Sequence, residues 1–283
     1  MPAEMITVPP QSAPSELVRG ERRLTWLLKP GWRSATMQMM ERSLSGIRIV
    51  LVEPTHPGNI GAAARAMKTM GLTRVTLVKP KQFPCAEATA MAAGADDLLV
   101  RAQVCEHLGE ALAGCGWVVG TSARSRAIPW PVLDPRAAAL QIISATAQGD
   151  VAVVFGREHA GLSNEEVELC QAMVQIPSDP EFSSLNLAAA VQVLTYELRV
   201  AALKDGEAPA LETVSDSPPA TSDELERFYA HLEDALVRVG FHDPAKPRRL
   251  MRRLRRLFNR ARLDQNEVNI LRGFLTAVQE RLK

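Results

Sequence analysis

From Ile47 to Leu203 short apolar runs alternate with stretches of helical periodicity, and no other feature narrows the fold so far. Residues 47–52 read as a strand, 60–70 as a helix ended by Gly71, and 75–78 as a second strand. Residues 86–93 read as a short helix, 98–100 as a strand, 105–113 as a helix and 117–119 as a strand. A helix over 135–146, a strand over 151–155 and a short helix over 167–170 follow, the last preceded by Ser163 and Glu166 in capping-box spacing. A strand over 173–176 leads into one long helix over 185–203. Such alternation predicts an α/β fold: a mostly parallel sheet with helices on both faces, binding its ligand at the carboxyl ends of the strands.

The 283 residues leave room for a smaller appendage. Residues 1–45, with Pro9, Pro10, Pro14 and Pro30 and no signal-peptide core, read as a flexible leader; Arg19, Arg22, Arg23 and Arg33 leave open an RNA-binding arm. Residues 46–204 form the α/β domain, and 205–222, with Pro209, Pro218 and Pro219, a linker. Residues 223–283 form a basic helical domain with helices over 223–239, 247–261 and 267–282, where Asp264 and Glu267 supply a second capping box. Four cysteines without a CxxC pair, and no histidine at ligand spacing, predict a reduced cytoplasmic protein without a structural metal. No apolar run approaches the roughly 20 residues that span a bilayer, so no membrane partner is expected.

The turn after the first strand contains Gly58, Asn59, Gly61 and Arg65. Gly58 and Gly61 permit close backbone approach, read either as an anion cradle at a helix start or as a tight helix-to-sheet contact. A dinucleotide fold would place GxGxxG here and an acid at the end of the second strand; the chain has Gly-Asn-Ile-Gly and Val78-Lys79-Pro80, which argues against a nucleotide-dependent oxidoreductase. Arg65 either swings toward the loop mouth or lies on the solvent face, and Lys68 is one turn further on. His56, in a Pro-flanked loop, is a general-base candidate that is more simply incidental.

Three more loops share the same sheet edge. Thr121, Ser122 and Ala123 continue through Arg124 and Arg126 to Ile128-Pro129-Trp130-Pro131, either an ordinary prolyl connection or a basic lid. Phe155-Gly156-Arg157-Glu158 combines backbone freedom with an adjacent opposite-charge pair, for which an internal Arg157–Glu158 ion pair is the structural alternative to ligand binding. Ile176-Pro177 leads to Ser183-Ser184-Leu185-Asn186 at the start of the last helix. In the tail, Leu250, Leu254, Leu257, Phe258 and Ala261 form one stripe and arginines, Arg252, Arg253 and Arg256 among them, crowd the remaining surface, a pattern that favours a polyanion. Glu224, Glu226, Glu233 and Asp234 on the preceding helix are placed to pair with part of this charge.

Taken in order, Asn59 and Arg65, then Phe155-Gly156-Arg157-Glu158 with Gly161-Leu162, then Ile176-Pro177 with Ser184-Leu185-Asn186, resemble the SPOUT methyltransferases, in particular the TrmJ branch of tRNA ribose 2'-O-methyltransferases. The resemblance covers about residues 47–202 and extends into the tail through Leu225 to Tyr229 and Asn269 to Gly273. It implies a trefoil knot in the later part of the sheet domain, an exception to unknotted folds. It implies S-adenosylmethionine held by Thr121, Ser122, Ala123, Gly156, Ile176, Ser183, Ser184, Leu185 and Asn186, and Arg65 as the catalytic residue. Because a guanidinium stays protonated below a pH of about 12, Arg65 suits phosphate gripping and alkoxide stabilisation rather than proton removal. The implied substrate is tRNA at the cytidine or uridine of position 32, gripped by Asn59, Lys68, Arg124, Arg126, Arg252, Arg253 and Arg256, with a homodimer as the working unit. A non-catalytic RNA-binding protein that keeps the knotted fold is the alternative; intact Arg65, Gly156 and Asn186 speak against it.

Overall fold

A computed structural model describes residues 38, 40–122, 130–204, 217–246 and 249–282. Strand β1 (Ile47–Val52) is followed by α1 (Pro57–Met70), β2 (Arg74–Val78), α2 (Ala86–Ala92), α3 (Asp96–Val100), β3 (Gln103–Cys105), α4 (Leu108–Leu112) and β4 (Cys115–Thr121). Then come β5 (Val132–Leu133), α5 (Pro135–Ala145), β6 (Asp150–Phe155), α6 (Asn164–Glu168), β7 (Ala172–Val174) and α7 (Leu187–Lys204). The strands lie in the order β3-β2-β1-β6-β4-β7-β5, and every pairing is parallel.

The central strands are apolar on both faces because each face is roofed by helices. With the two-residue period of a strand, Ile49 and Leu51 of β1 join Val153 and Phe155 of β6 beneath α1, α5 and α7, in a core with Ile60, Met67, Ile142, Val191, Leu194 and Leu198. Val50, Val52, Ala152 and Val154 point to the other face, against Leu108 and Leu112 of α4, Val167 of α6 and Trp130. The helical residues 40–45 already belong to the domain, since Met40 and Leu44 are buried in the first core; the domain therefore includes residues ahead of the expected boundary at residue 46.

Two expected elements are corrected. Residues 98–100 are not a strand but the end of α3: Leu98 and Leu99 are both buried while Val100 is 86% exposed, a pattern no alternating strand produces. The strand falls later, at β3, so the helix expected over 105–113 shrinks to α4, with Cys105 ending the strand. The two-residue edge strand β5 is too short to leave a periodic trace.

The tail consists of α8 (Ser222–Arg238), α9 (Leu250–Ala261) and α10 (Gln265–Glu280). Leu225, Phe228, Tyr229, Leu232, Val268 and Leu275 make its core, and the Asp264–Glu267 capping box forms as expected. The apolar stripe of α9 is narrower than expected: Met251, Leu254 and Phe258 pack inward, but Leu257 is 47% exposed and Ala261 is exposed. Residues 205–216 lie outside the described residues. The end of the expected linker is tied to the tail, where Ala220 donates its N–H to the Leu263 carbonyl and Gln265 donates to the Pro218 carbonyl. Among the described residues no helix is long and apolar enough to cross a membrane.

Candidate functional site

The carboxyl ends of β4, β6 and β7 open on one cavity of about 190 Å³. Thr121 and Ser122 line it from the end of β4, Phe155 to Gly161 from the loop after β6, and Val174, Ile176, Ser183, Ser184, Leu185, Leu187 and Ala190 from β7 and the start of α7. Of the nine residues expected to hold the cofactor, Thr121, Ser122, Gly156, Ile176, Ser183, Ser184 and Leu185 meet here. Ala123, with Arg124 and Arg126, lies outside the described residues. The ninth, Asn186, stands beside the cavity: its Oδ1 accepts from the N–H groups of Ala188 (2.9 Å) and Ala189 (3.3 Å), capping α7.

The β6 loop is built by glycine. A Cβ on Gly156 would overlap the Gly161–Leu162 backbone, so only glycine lets the loop close on itself. Arg157 and Gly161 exchange backbone hydrogen bonds of 3.2 and 2.9 Å across the turn, and Gly161 takes the left-handed φ of +67°.

The charges of this loop pair differently from the adjacent-pair expectation. Arg157 does not bond to Glu158. Its guanidinium, 25% exposed, donates to both Glu53 oxygens (2.9 and 2.6 Å) and to both Glu166 oxygens (2.9 Å each). The Glu53 bond, followed by that from Glu166, pushes the already basic guanidinium further up, and the same Arg157 contact holds Glu53 below the usual carboxylate range. Glu166 also closes the capping box with Ser163, so one carboxylate starts α6 and clamps the loop.

Glu158 reaches the turn before α1. It accepts from the N–H of Thr55 with both oxygens (3.1 and 3.0 Å), from the N–H of His56 (3.2 Å) and from Asn59 Nδ2 (3.1 Å). Burial works against its charge, but the bonds from Asn59, Thr55 and His56 outweigh it and keep the pKa lowered. The N-terminus of α1 thus receives its anion from the protein itself, since His56 provides no side-chain cap. Asn59 Oδ1 accepts from Asn186 Nδ2 at 2.9 Å, so this amide is a strut between α1, the β6 loop and α7 rather than a free RNA ligand.

Gly58 and Gly61 serve packing, against a helix rather than the sheet. A Cβ at Gly61 would overlap the Ala88 carbonyl and lie 2.8 Å from the Ala92 nitrogen, and one at Gly58 would sit 3.1 Å from Glu87 Oε1. Lys68 is paired as well: Nζ donates to Asp97 Oδ1 (2.6 Å) and to the Gly94 carbonyl (2.8 Å), with the side chain 45% exposed. His56 is exposed beside His159, ring centroids 6.4 Å apart. Arg65 lies exposed on α1, outside the cavity lining, and its guanidinium has no hydrogen-bonding or ionic partner among the described residues.

On α9, Arg252 pairs with Glu168 and Arg255 with Glu226, while Arg255 also lies 4.4 Å over the Tyr229 ring. Of the acids expected to offset this helix, Glu226 alone pairs with it among the described residues; Glu224 caps α8, Glu233 lies 3.4 Å from His242 and Asp234 pairs with Arg238. Arg253, Arg256 and Arg260 have no acidic partner among the described residues; Arg253 and Arg260 are exposed and Arg256 is half-buried. The roles of Glu53, Glu158 and Glu166 were missed in the sequence; for Glu166 the capping box was a signal, but only of a helix start.

Comparison with known proteins bears on this site. The family model for the SpoU rRNA methylase family matches residues 46–196, and that for the C-terminal domain of the tRNA methyltransferase TrmJ matches residues 223–283. The chain is 56% identical over 244 residues to a tRNA (cytidine/uridine/adenosine-2'-O-)-methyltransferase TrmJ of Pseudomonas aeruginosa, covering 84% of this chain and 95% of that protein. It is 52% identical over 242 residues to a tRNA (cytidine/uridine-2'-O-)-methyltransferase TrmJ of Klebsiella pneumoniae, covering 85% and 99%. The crystal structure of TrmJ from Z. mobilis superposes with a TM-score of 0.71 at 36% identity, covering 82% of this chain and 98% of that one.

Proposed function

Since the chain belongs to the TrmJ family of tRNA 2'-O-methyltransferases, within the SpoU methylases, we propose that it methylates the ribose 2'-hydroxyl of the pyrimidine at position 32 in the tRNA anticodon loop, with S-adenosylmethionine as donor. The observation that carries this reading is a cavity at the carboxyl ends of the strands, where seven residues of three separate loops converge.

The lining fits the donor. Ile176, Leu185 and Leu187 offer an apolar wall for a flat ring, and the Ser183 and Ser184 hydroxyls have no partner among the described residues. When bound, S-adenosylmethionine supplies an electrophilic methyl group on a sulfonium centre. The protein's share is to hold the loops, orient the ribose and exclude water. The Arg157 clamp to Glu53 and Glu166 fixes the β6 loop, and Asn186 and Asn59 hold the start of α7 to α1.

Arg65 supplies positive charge to the substrate phosphate and to the developing alkoxide. Its place outside the cavity lining supports a homodimer in which the substrate lies between the pocket of one copy and Arg65 of its partner copy. The insertion of β7 between β4 and β5, which are consecutive in sequence, supports the trefoil knot of the family. Arg253 and Arg256 of α9, with Arg252 beside them, carry the tRNA backbone.

The test is transfer of label from S-adenosylmethionine to unmodified tRNA transcripts, with the label mapped. Label on the ribose of nucleotide 32, abolished in Arg65→Ala, is the expected result. Tight tRNA binding without label in the parent would favour a binding protein that keeps the fold.

A further inference from the structure

Asn259 is 3% exposed and is the one buried residue of α9 among the described residues, in a helix otherwise dominated by arginine. Two of its three side-chain hydrogen bonds cross the seam between the tail and the α/β domain, and the third ties it to α8 within the tail. Nδ2 donates to the Glu168 carbonyl at 3.1 Å and to the Cys170 carbonyl at 3.3 Å, and Oδ1 accepts from the Tyr229 hydroxyl of α8 at 2.6 Å. That partner set dictates which way the amide faces, because only its nitrogen can serve two carbonyls.

The Cys170 carbonyl has a second donor, the buried Trp130 indole, at 2.8 Å. Trp130 stands two residues before β5, and Gly120 of β4 packs so closely here that a Cβ would lie 2.9 Å from Cys170 Sγ. Glu168 ends α6, whose first turn carries the Glu166 that clamps Arg157. Seven residues before Asn259, on the same face of α9, Arg252 pairs with the Glu168 carboxylate. One short turn, residues 168–170, is therefore the meeting point of β4 at Gly120, Trp130, the helix that fixes the β6 loop and the basic helix.

From this convergence we infer that Asn259 is a positioning residue: it sets the register of the basic helix against the cofactor loops, so that tRNA gripped on α9 presents its ribose to the pocket at one distance. A buried polar hub favours one arrangement over its neighbours, because any slip strands several groups at once. Apolar contacts along the same seam tolerate a slide. The inference rests on the methyltransferase reading, since it concerns where the substrate is held.

The full-length protein tests it through Asn259→Asp, which cannot donate to the two carbonyls, and Tyr229→Phe, which removes the hydroxyl bonds to Asn259 Oδ1 and, at 3.4 Å, to the Arg255 carbonyl and keeps the ring packing. Leu275→Ala, in the helical core, is the control for loss of stability alone. At saturating tRNA and S-adenosylmethionine, and at a temperature where all variants are folded, kcat is expected to fall about tenfold to a hundredfold in Asn259→Asp. A smaller fall is expected in Tyr229→Phe and none in Leu275→Ala, with cofactor affinity by calorimetry within about twofold of the parent throughout. If Asn259→Asp does not fold, the fall in Tyr229→Phe alone decides. Variants that lower the melting temperature but leave kcat at the parental value overturn the inference, as does an equal loss in Leu275→Ala. A parent that transfers no methyl group refutes the methyltransferase reading instead.

Discussion

Replacing Glu158 by glutamine keeps the shape of the side chain but removes the charge that faces the start of α1. The carboxylate accepts from Thr55 with both oxygens, from His56 and from Asn59. Glutamine has one acceptor oxygen, so its amide nitrogen must face a backbone N–H, and one bond to a charged acceptor is lost. The loss of charge at the helix terminus adds to that. For a half-exposed group the two together cost about 1–2 kcal/mol. At about 2–4 °C per kcal/mol for a domain of this size, the α/β transition should melt roughly 2–8 °C lower at pH 7. The pH dependence is the sharper check. The folded pKa of Glu158 lies below its ordinary value of 4.5, so its contribution is complete above that pH and disappears as pH falls through the folded pKa. The gap between parent and Glu158→Gln, followed by circular dichroism in steps from pH 7 to pH 3, should hold steady to about pH 5 and then close. A gap absent at pH 7, or undiminished at pH 3, would refute the assignment of this carboxylate as the cap of α1.

Gly61→Ala should destabilise the α/β domain by about 1–3 kcal/mol in urea unfolding, because the added methyl meets backbone of α2 that cannot step aside; stability equal to the parent would show that α1 and α2 separate freely. Arg253→Ala and Arg256→Ala should each weaken tRNA binding at low salt and reduce the slope of log affinity against log salt by about one, with cofactor binding unchanged. An unaltered slope in a filter-binding titration would remove α9 from the tRNA interface. Mixing Arg65→Ala with Gly156→Ala, each inactive alone, should restore about a quarter of the parental transfer rate by forming mixed dimers with one intact site. No recovery after co-expression would place Arg65 and the pocket of the same copy together.

The sheet domain could be read from the chain because its signals are local. The apolar runs of β1 and β6, the glycine that ends α1 and the Ser163–Glu166 box act within a few residues of one another. The loops that carry seven pocket residues were legible for the same reason, lying where strands break, while the choice of those residues came from the family resemblance. The misplaced strand at 98–100 shows the limit, since three apolar residues contain too little of either period to tell strand from helix.

What the sequence determined by itself was most of the order of elements, the loops that line the cavity and the stretch of chain that is basic. What only the tertiary structure decided was the partner of each charge. Arg157 stands next to Glu158 in the chain yet bonds to Glu53, 104 residues away, while Glu158 turns to α1, and the amide of Asn59 and the ammonium of Lys68 are consumed by neighbours no local pattern announces. Hydrogen bonds and ion pairs act over about 3 Å, so which groups they join is set by how distant segments close on one another, whereas strand and helix periods are set by the backbone of each segment alone.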